Sequence, residues 1–170
     1  MALPSLSLQQ PGFVPQPLSS LMPGGAAVVA HVVQSFVVPP EKQVLNQEEI
    51  GLEQPYTDPS LKGRKQLSRL IRLLLDRSLV ELSLEDGTRI GVFAVWKSDG
   101  ERMRLIIDAR LSNTHFTEPP PVSLPGAENL SQVHVASSES LHVSTSDLKD
   151  AFYTMEMPPE LRKFYTFSPV

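Results

Sequence analysis

Apolar spacing picks out three readable segments in this chain. Leu67, Leu70, Ile71, Leu74 and Leu75 recur at i, i+3, i+4, i+7 and i+8, which predicts an amphipathic helix ending near Ser78. Asp58-Pro59 ahead of it reads as an N-cap followed by proline at a first helical position. Lys65, Arg69 and Arg72 fall on the outer face, either as a solvated surface or as phosphate contacts. Next, Gly91–Lys97 and Arg102–Ile107 are β-rich runs on either side of Ser98-Asp-Gly-Glu101. An Asp-Gly turn between such runs predicts a hairpin. With Asp99 and Gly100 as a two-residue turn, Lys97 pairs with Arg102, Val95 with Arg104, Trp96 with Met103 and Ala94 with Leu105. The third segment, Leu141-His-Val-Ser-Thr145, alternates with period two and predicts a strand whose face ends at Asp147. Lys149-Asp-Ala-Phe-Tyr153 then suits a turn or a helical stretch better than more strand. Asp147 is open to two readings, a turn cap or a metal-binding carboxylate.

The remaining stretches are less regular. Pro4, Pro11, Pro15, Pro17, Pro23, Pro39 and Pro40 interrupt the first 57 residues, which predicts a proline-rich, disordered leader. Within it Ala26–Val38 is apolar but too short and too polar to span a bilayer, and suits a strand docked on a domain or no selected structure. Pro119-Pro-Pro121 and Pro125-Gly126 predict an extended connector before a short helix at Ala127–Gln132. Pro158–Phe167 reads as a turn leading into another β-rich run. The division expected is therefore a leader over 1–57, a globular region over 58–118, a connector over 119–140 and a further folded segment over 141–170.

Composition narrows the chemistry. A chain of 170 residues suits one domain with a real core. Having no cysteine, it has no disulfides, no thiolate nucleophile and no cysteine-based zinc site. His31, His115, His134 and His142 have no paired-ligand spacing and are expected at the surface or half-buried. No signal peptide or transmembrane segment is evident, which fits an intracellular protein that does not enter a membrane. The net charge of -4 hides a basic middle. Residues 61–110 hold eleven bases and seven acids, whereas 1–60 hold one and five and 111–170 hold three and seven. Lys97, Arg102 and Arg104 share one face of the predicted hairpin, and three cations gathered there suit an anion such as phosphate. Asp108 and Arg110, at the exit of the second strand, suit an ion pair that fixes that exit.

Taken in order, these features resemble the start of a reverse transcriptase of the retroelement type. Phe93-Ala-Val-Trp-Lys97-Ser-Asp-Gly-Glu-Arg-Met-Arg104-Leu-Ile-Ile-Asp108-Ala-Arg110-Leu-Ser-Asn113 is similar to that family's fingers hairpin. Ser146-Asp147-Leu-Lys-Asp150-Ala-Phe152-Tyr153 resembles its first catalytic palm motif, and Arg162–Phe167 the segment that follows. Pro55-Tyr-Thr-Asp-Pro59 and the helix after it resemble the entry into the fingers. The resemblance covers roughly residues 55–170 and implies an α+β fold, the fingers of a right-hand polymerase with an incomplete palm.

The function so implied is transfer of deoxynucleotides from their triphosphates to a primer 3′-hydroxyl on an RNA or DNA template, through Mg²⁺. By the resemblance, Asp147 is catalytic and binds metal, with the Leu148 carbonyl as a further ligand. Lys97 and Arg104 hold the incoming triphosphate, the backbone of Asp150 and Ala151 lies under it, and Phe152 sits beneath the sugar and disfavours a 2′-hydroxyl. The family's second catalytic motif is a pair of aspartates, and no Asp-Asp dipeptide occurs in these 170 residues. The implied polymerase is therefore a fragment, expected to be inactive as an isolated chain. The alternative is a non-catalytic remnant or a nucleic-acid- or protein-binding module that retains the basic hairpin.

Overall fold

In the computed structural model, residues 1–21, 23–51, 54–124, 126–147 and 150–167 are described. They form two compact units, Met1–Thr117 together with Asp150–Val170, and Glu118–Lys149. The elements in chain order are β1 (Gln16–Pro17), α1 (Gly25–Phe36), α2 (Pro40–Ile50), α3 (Arg64–Leu75), β2 (Gly91–Trp96), β3 (Met103–Asp108), α4 (Arg110–Asn113), α5 (Ala127–Ser131), α6 (Ala151–Thr154), β4 (Met155–Glu156) and α7 (Pro159–Arg162). The fold is mixed, with helices around two small two-stranded sheets, consistent with an α+β class.

The first unit is organised on α3 and the β2–β3 hairpin. α3 buries Leu70, Ile71 and Leu74, as its 3.6-residue spacing requires, and exposes Lys65, Arg69 and Arg72. Asp58 caps the short 3-10 turn Pro59–Leu61 through the Ser60 N–H, and Gly63 stands at the start of α3 itself. Leu61, Leu70, Leu74 and Val92 form the buried core, and Leu105, Phe167 and the N-terminal Met1, Leu3, Leu6 and Leu8 pack against it.

The hairpin has the expected register, Val95 opposite Arg104, Trp96 opposite Met103 and Ala94 opposite Leu105. Gly100, at φ 69°, takes the left-handed turn position that an L side chain resists. The outer edge of β2 is met by the extended segment before α3, where the Asp58 N–H donates to the Val92 carbonyl at 2.9 Å. Gly91 lets that segment approach, since a Cβ there would run into the Tyr56 carbonyl. Upstream, Arg89 bridges Thr166 in parallel, so the β-rich run after Pro158 finds its partner beside the hairpin.

Two expectations are corrected. Residues 1–57 are not an unstructured leader over their described length. They carry α1 and α2, and the first eight residues reach the core. Pro39 and Pro40 lead into α2, where a missing N–H costs nothing, and α1 contains no proline. Ala26–Val38 is accordingly mostly helix, with Val37 making an isolated bridge to Phe116. No strand forms over 141–147, where Leu141 and Val143 are exposed. Period-two alternation assigns faces, but a strand also needs a neighbour for its backbone groups. Residues 118–149 form one unit, and residues 150–167 belong to the unit that holds the hairpin. α5 in the second unit lies where a short helix was expected.

Candidate functional site

The basic face of the hairpin is built by the turn and held by an acid that sequence reading left out. Asp99 accepts from the Glu101 and Arg102 N–H groups at 3.0 and 3.1 Å through Oδ1, and from Arg102 Nε at 2.9 Å through Oδ2. Arg102 is thus half-neutralised where the sequence suggested three like charges, and its exposed pair with Asp99 orders the tip more than it stabilises it. Lys97 Nζ donates to Ser7 Oγ at 2.8 Å. Arg104 is exposed on the same face, opposite Val95.

The hairpin's base is fixed by Asp108. Its buried carboxylate accepts from Arg110 Nε at 2.9 Å and Nη2 at 2.8 Å, and from the Tyr56 N–H at 2.7 Å. Hydrogen bonds from Arg110 and from the Tyr56 and Arg110 backbone hold the carboxyl well below the usual carboxylate range, against the opposing effect of burial. The Asp-x-Arg ion pair expected from sequence is therefore present, and the Tyr56 segment is tied into it. Tyr56 also packs edge-on against Phe93, with ring centroids 5.3 Å apart.

The expected site residues divide between the two units. Asp147 is exposed in the second unit, in a stretch without regular structure. Leu148 lies outside the described residues. Asp150, Ala151 and Phe152 lie in the first unit with Lys97 and Arg104. Asp150, at φ 54°, stands at the start of α6, a left-handed position that Asp tolerates better than most residues. Phe152 is 90% exposed, an apolar ring held out into solvent. Tyr153 turns inward, and burial and the Asp150 charge raise its phenol pKa while Arg104 opposes them. Arg104 and the Asp150–Tyr153 turn, far apart in sequence, therefore lie within electrostatic reach of each other.

His115 corrects the expectation of a surface or half-buried histidine. It is buried at the end of α4, 2.6 Å from Thr88 Oγ1 and 2.7 Å from Gln43 Oε1, with its ring 4.8 Å from that of Phe164. Gln43 Nε2 donates to the Val38 carbonyl, so its Oε1 faces the imidazole and receives Nδ1–H, and Nε2 accepts the Thr88 hydroxyl. Burial, then the Lys163 charge, keeps this histidine neutral by lowering its pKa. It ties α2 to the hairpin's approach, and a lone His in the sequence carried no signal of that. His31, His134 and His142 are exposed.

Among the described residues, no group of three acids and histidines stands close enough to hold a metal. Asp147 is one carboxylate, a fraction of the oxygen set that Mg²⁺ takes with phosphates and water. Among the same residues no helix is long and apolar enough to cross a membrane. No protein-family model, curated protein or solved structure matches this chain.

Proposed function

We propose that this chain carries the fingers hairpin and the first palm motif of a reverse-transcriptase-like polymerase of the retroelement type. What supports the reading most is that the charges of Arg104 and Asp150 both act on the Tyr153 phenol. This joins a hairpin cation to the turn that follows Asp147 in sequence, the two segments on which the resemblance rests. Lys97 and Arg104 bind the triphosphate of a deoxynucleotide and balance the charge that develops on pyrophosphate. The backbone at Asp150 and Ala151 lies below that triphosphate, and the exposed Phe152 ring meets the sugar and disfavours a 2′-hydroxyl. Asp147 offers one carboxylate to Mg²⁺. The paired aspartates of a two-metal site are not among the 170 residues, so these residues alone bind substrates without extending a primer.

Fluorescence anisotropy with a labelled DNA primer on an RNA template tests this. Binding is expected to weaken as salt rises, and the Lys97→Ala/Arg104→Ala double variant to keep primer–template binding while losing that of dTTP. Absence of primer–template binding at low salt, or dTTP binding by the double variant as tight as by the wild type, would contradict the reading. Primer–template binding without Lys97-dependent binding of dTTP would instead select a non-catalytic nucleic-acid module.

A further inference from the structure

The outer edge of β3 is occupied by the protein's own N-terminal segment. The Ser7 N–H donates to the Met103 carbonyl at 2.8 Å, and Leu6 and Met103 form a parallel bridge. Trp96 and Met103 are a non-hydrogen-bonded pair of the hairpin, because the neighbouring Lys97 N–H bonds the Arg102 carbonyl at 2.8 Å. The Met103 backbone therefore points away from β2 and is open to a third strand. The same serine holds the hairpin a second time, because its Oγ accepts from Lys97 Nζ. Leu3, Leu6 and Leu8 rest on the core but are only partly buried, a weaker anchor than a sealed core side chain.

We propose that this segment is a strap that competes with anionic ligands for Lys97. The inference rests on the reading of Lys97 as a triphosphate contact. A phosphate oxygen offers Lys97 a charged acceptor where Ser7 offers a neutral one, so ligand binding replaces the weaker partner. With that tie gone, one backbone hydrogen bond to Met103, the Met1 amino group on Ser60 Oγ and partly buried apolar side chains hold the strap. Seating the strap and filling the site with an anion then oppose each other, and by linkage each weakens the other to the same degree.

Ser7→Pro tests the strap, because it removes the N–H and the hydroxyl together. Leu6 already has the extended backbone (φ -66°, ψ 126°) that a following proline demands, so the change does not strain it. Trp96 is the chain's one tryptophan and faces Met103 across the hairpin, so its emission reports the strap's position. The full-length wild type, Ser7→Pro and the milder Ser7→Ala are titrated with dTTP, with folding checked by circular dichroism. Ser7→Pro is expected to change Trp96 emission without ligand and to bind dTTP about three- to tenfold tighter, the scale of losing one ordinary intramolecular hydrogen bond. Ser7→Ala should shift affinity the same way, by less, and Lys97→Ala should abolish the gain. Equal, Lys97-dependent affinity in wild type and both Ser7 variants overturns the strap and leaves the polymerase reading standing. A Trp96 change with no dTTP binding by any variant overturns the polymerase reading, and competition for Lys97 falls with it.

Discussion

Asp108 fixes the base of the hairpin. Its carboxylate gathers two guanidinium N–H groups and the Tyr56 N–H, so it closes the strand exit and holds the segment that leads into α3. Arg110 is mostly exposed, so the Coulomb part of the pair is screened, and the buried end matters more. Asp108→Asn turns an acceptor edge into an N–H₂ that faces other donors. It should cost about 2–3 kcal/mol in urea unfolding at neutral pH. Because the folded carboxyl titrates below its unfolded value, its contribution is complete above about pH 4 and is lost as pH falls from there toward the folded pKa. The gap between wild type and Asp108→Asn should therefore shrink between pH 6 and pH 3. A gap independent of pH would assign the loss to packing. The Asp-x-Arg pair was legible because its partners are two residues apart, whereas Tyr56 lies beyond the reach of local pattern.

At the level of elements, turns and amphipathic faces were readable and partners were not. Asp99-Gly100 placed the hairpin register because the turn's backbone conformation selects its residues. The spacing from Leu67 to Leu75 placed α3 because one face must be apolar to pack. The strand expected over 141–145 failed because, among the described residues, no neighbour supplies its backbone hydrogen bonds. α1 and α2 were missed because prolines were weighed as interruptions, whereas α1 runs free of them and Pro39 and Pro40 start α2. Ser7 carried no signal at all, since one serine among many polar positions becomes informative only when Met103 and Lys97 are beside it. Gly91 and Gly100 separate two uses of glycine. Gly100→Ala meets open space and should lose about 1 kcal/mol from its left-handed turn position. Gly91→Ala forces a methyl onto the Tyr56 carbonyl and should lose about 2 kcal/mol or more, read from the same unfolding curves. Equal losses would mean that the Tyr56 segment moves aside freely.

Over the whole molecule, an acidic protein of net charge -4 keeps a basic hairpin beside the Asp150–Tyr153 turn. Sequence order alone suggested that pairing, through resemblance. The fold adds that Arg104 and Tyr153 are electrostatic neighbours, that Arg102 is shared with Asp99, and that Lys97 is held by the chain's own first residues. If the hairpin face and this turn form one nucleotide site, a bound deoxynucleotide must touch both. Photocrosslinking with 4-thio-dTTP in the presence of Mg²⁺, followed by peptide mapping, measures this most directly. Adducts are predicted on the peptides that contain Lys97–Arg104 and Asp150–Tyr153, suppressed by excess dTTP and by Lys97→Ala/Arg104→Ala. Adducts confined to other peptides, or labelling that excess dTTP leaves unchanged, would contradict the account.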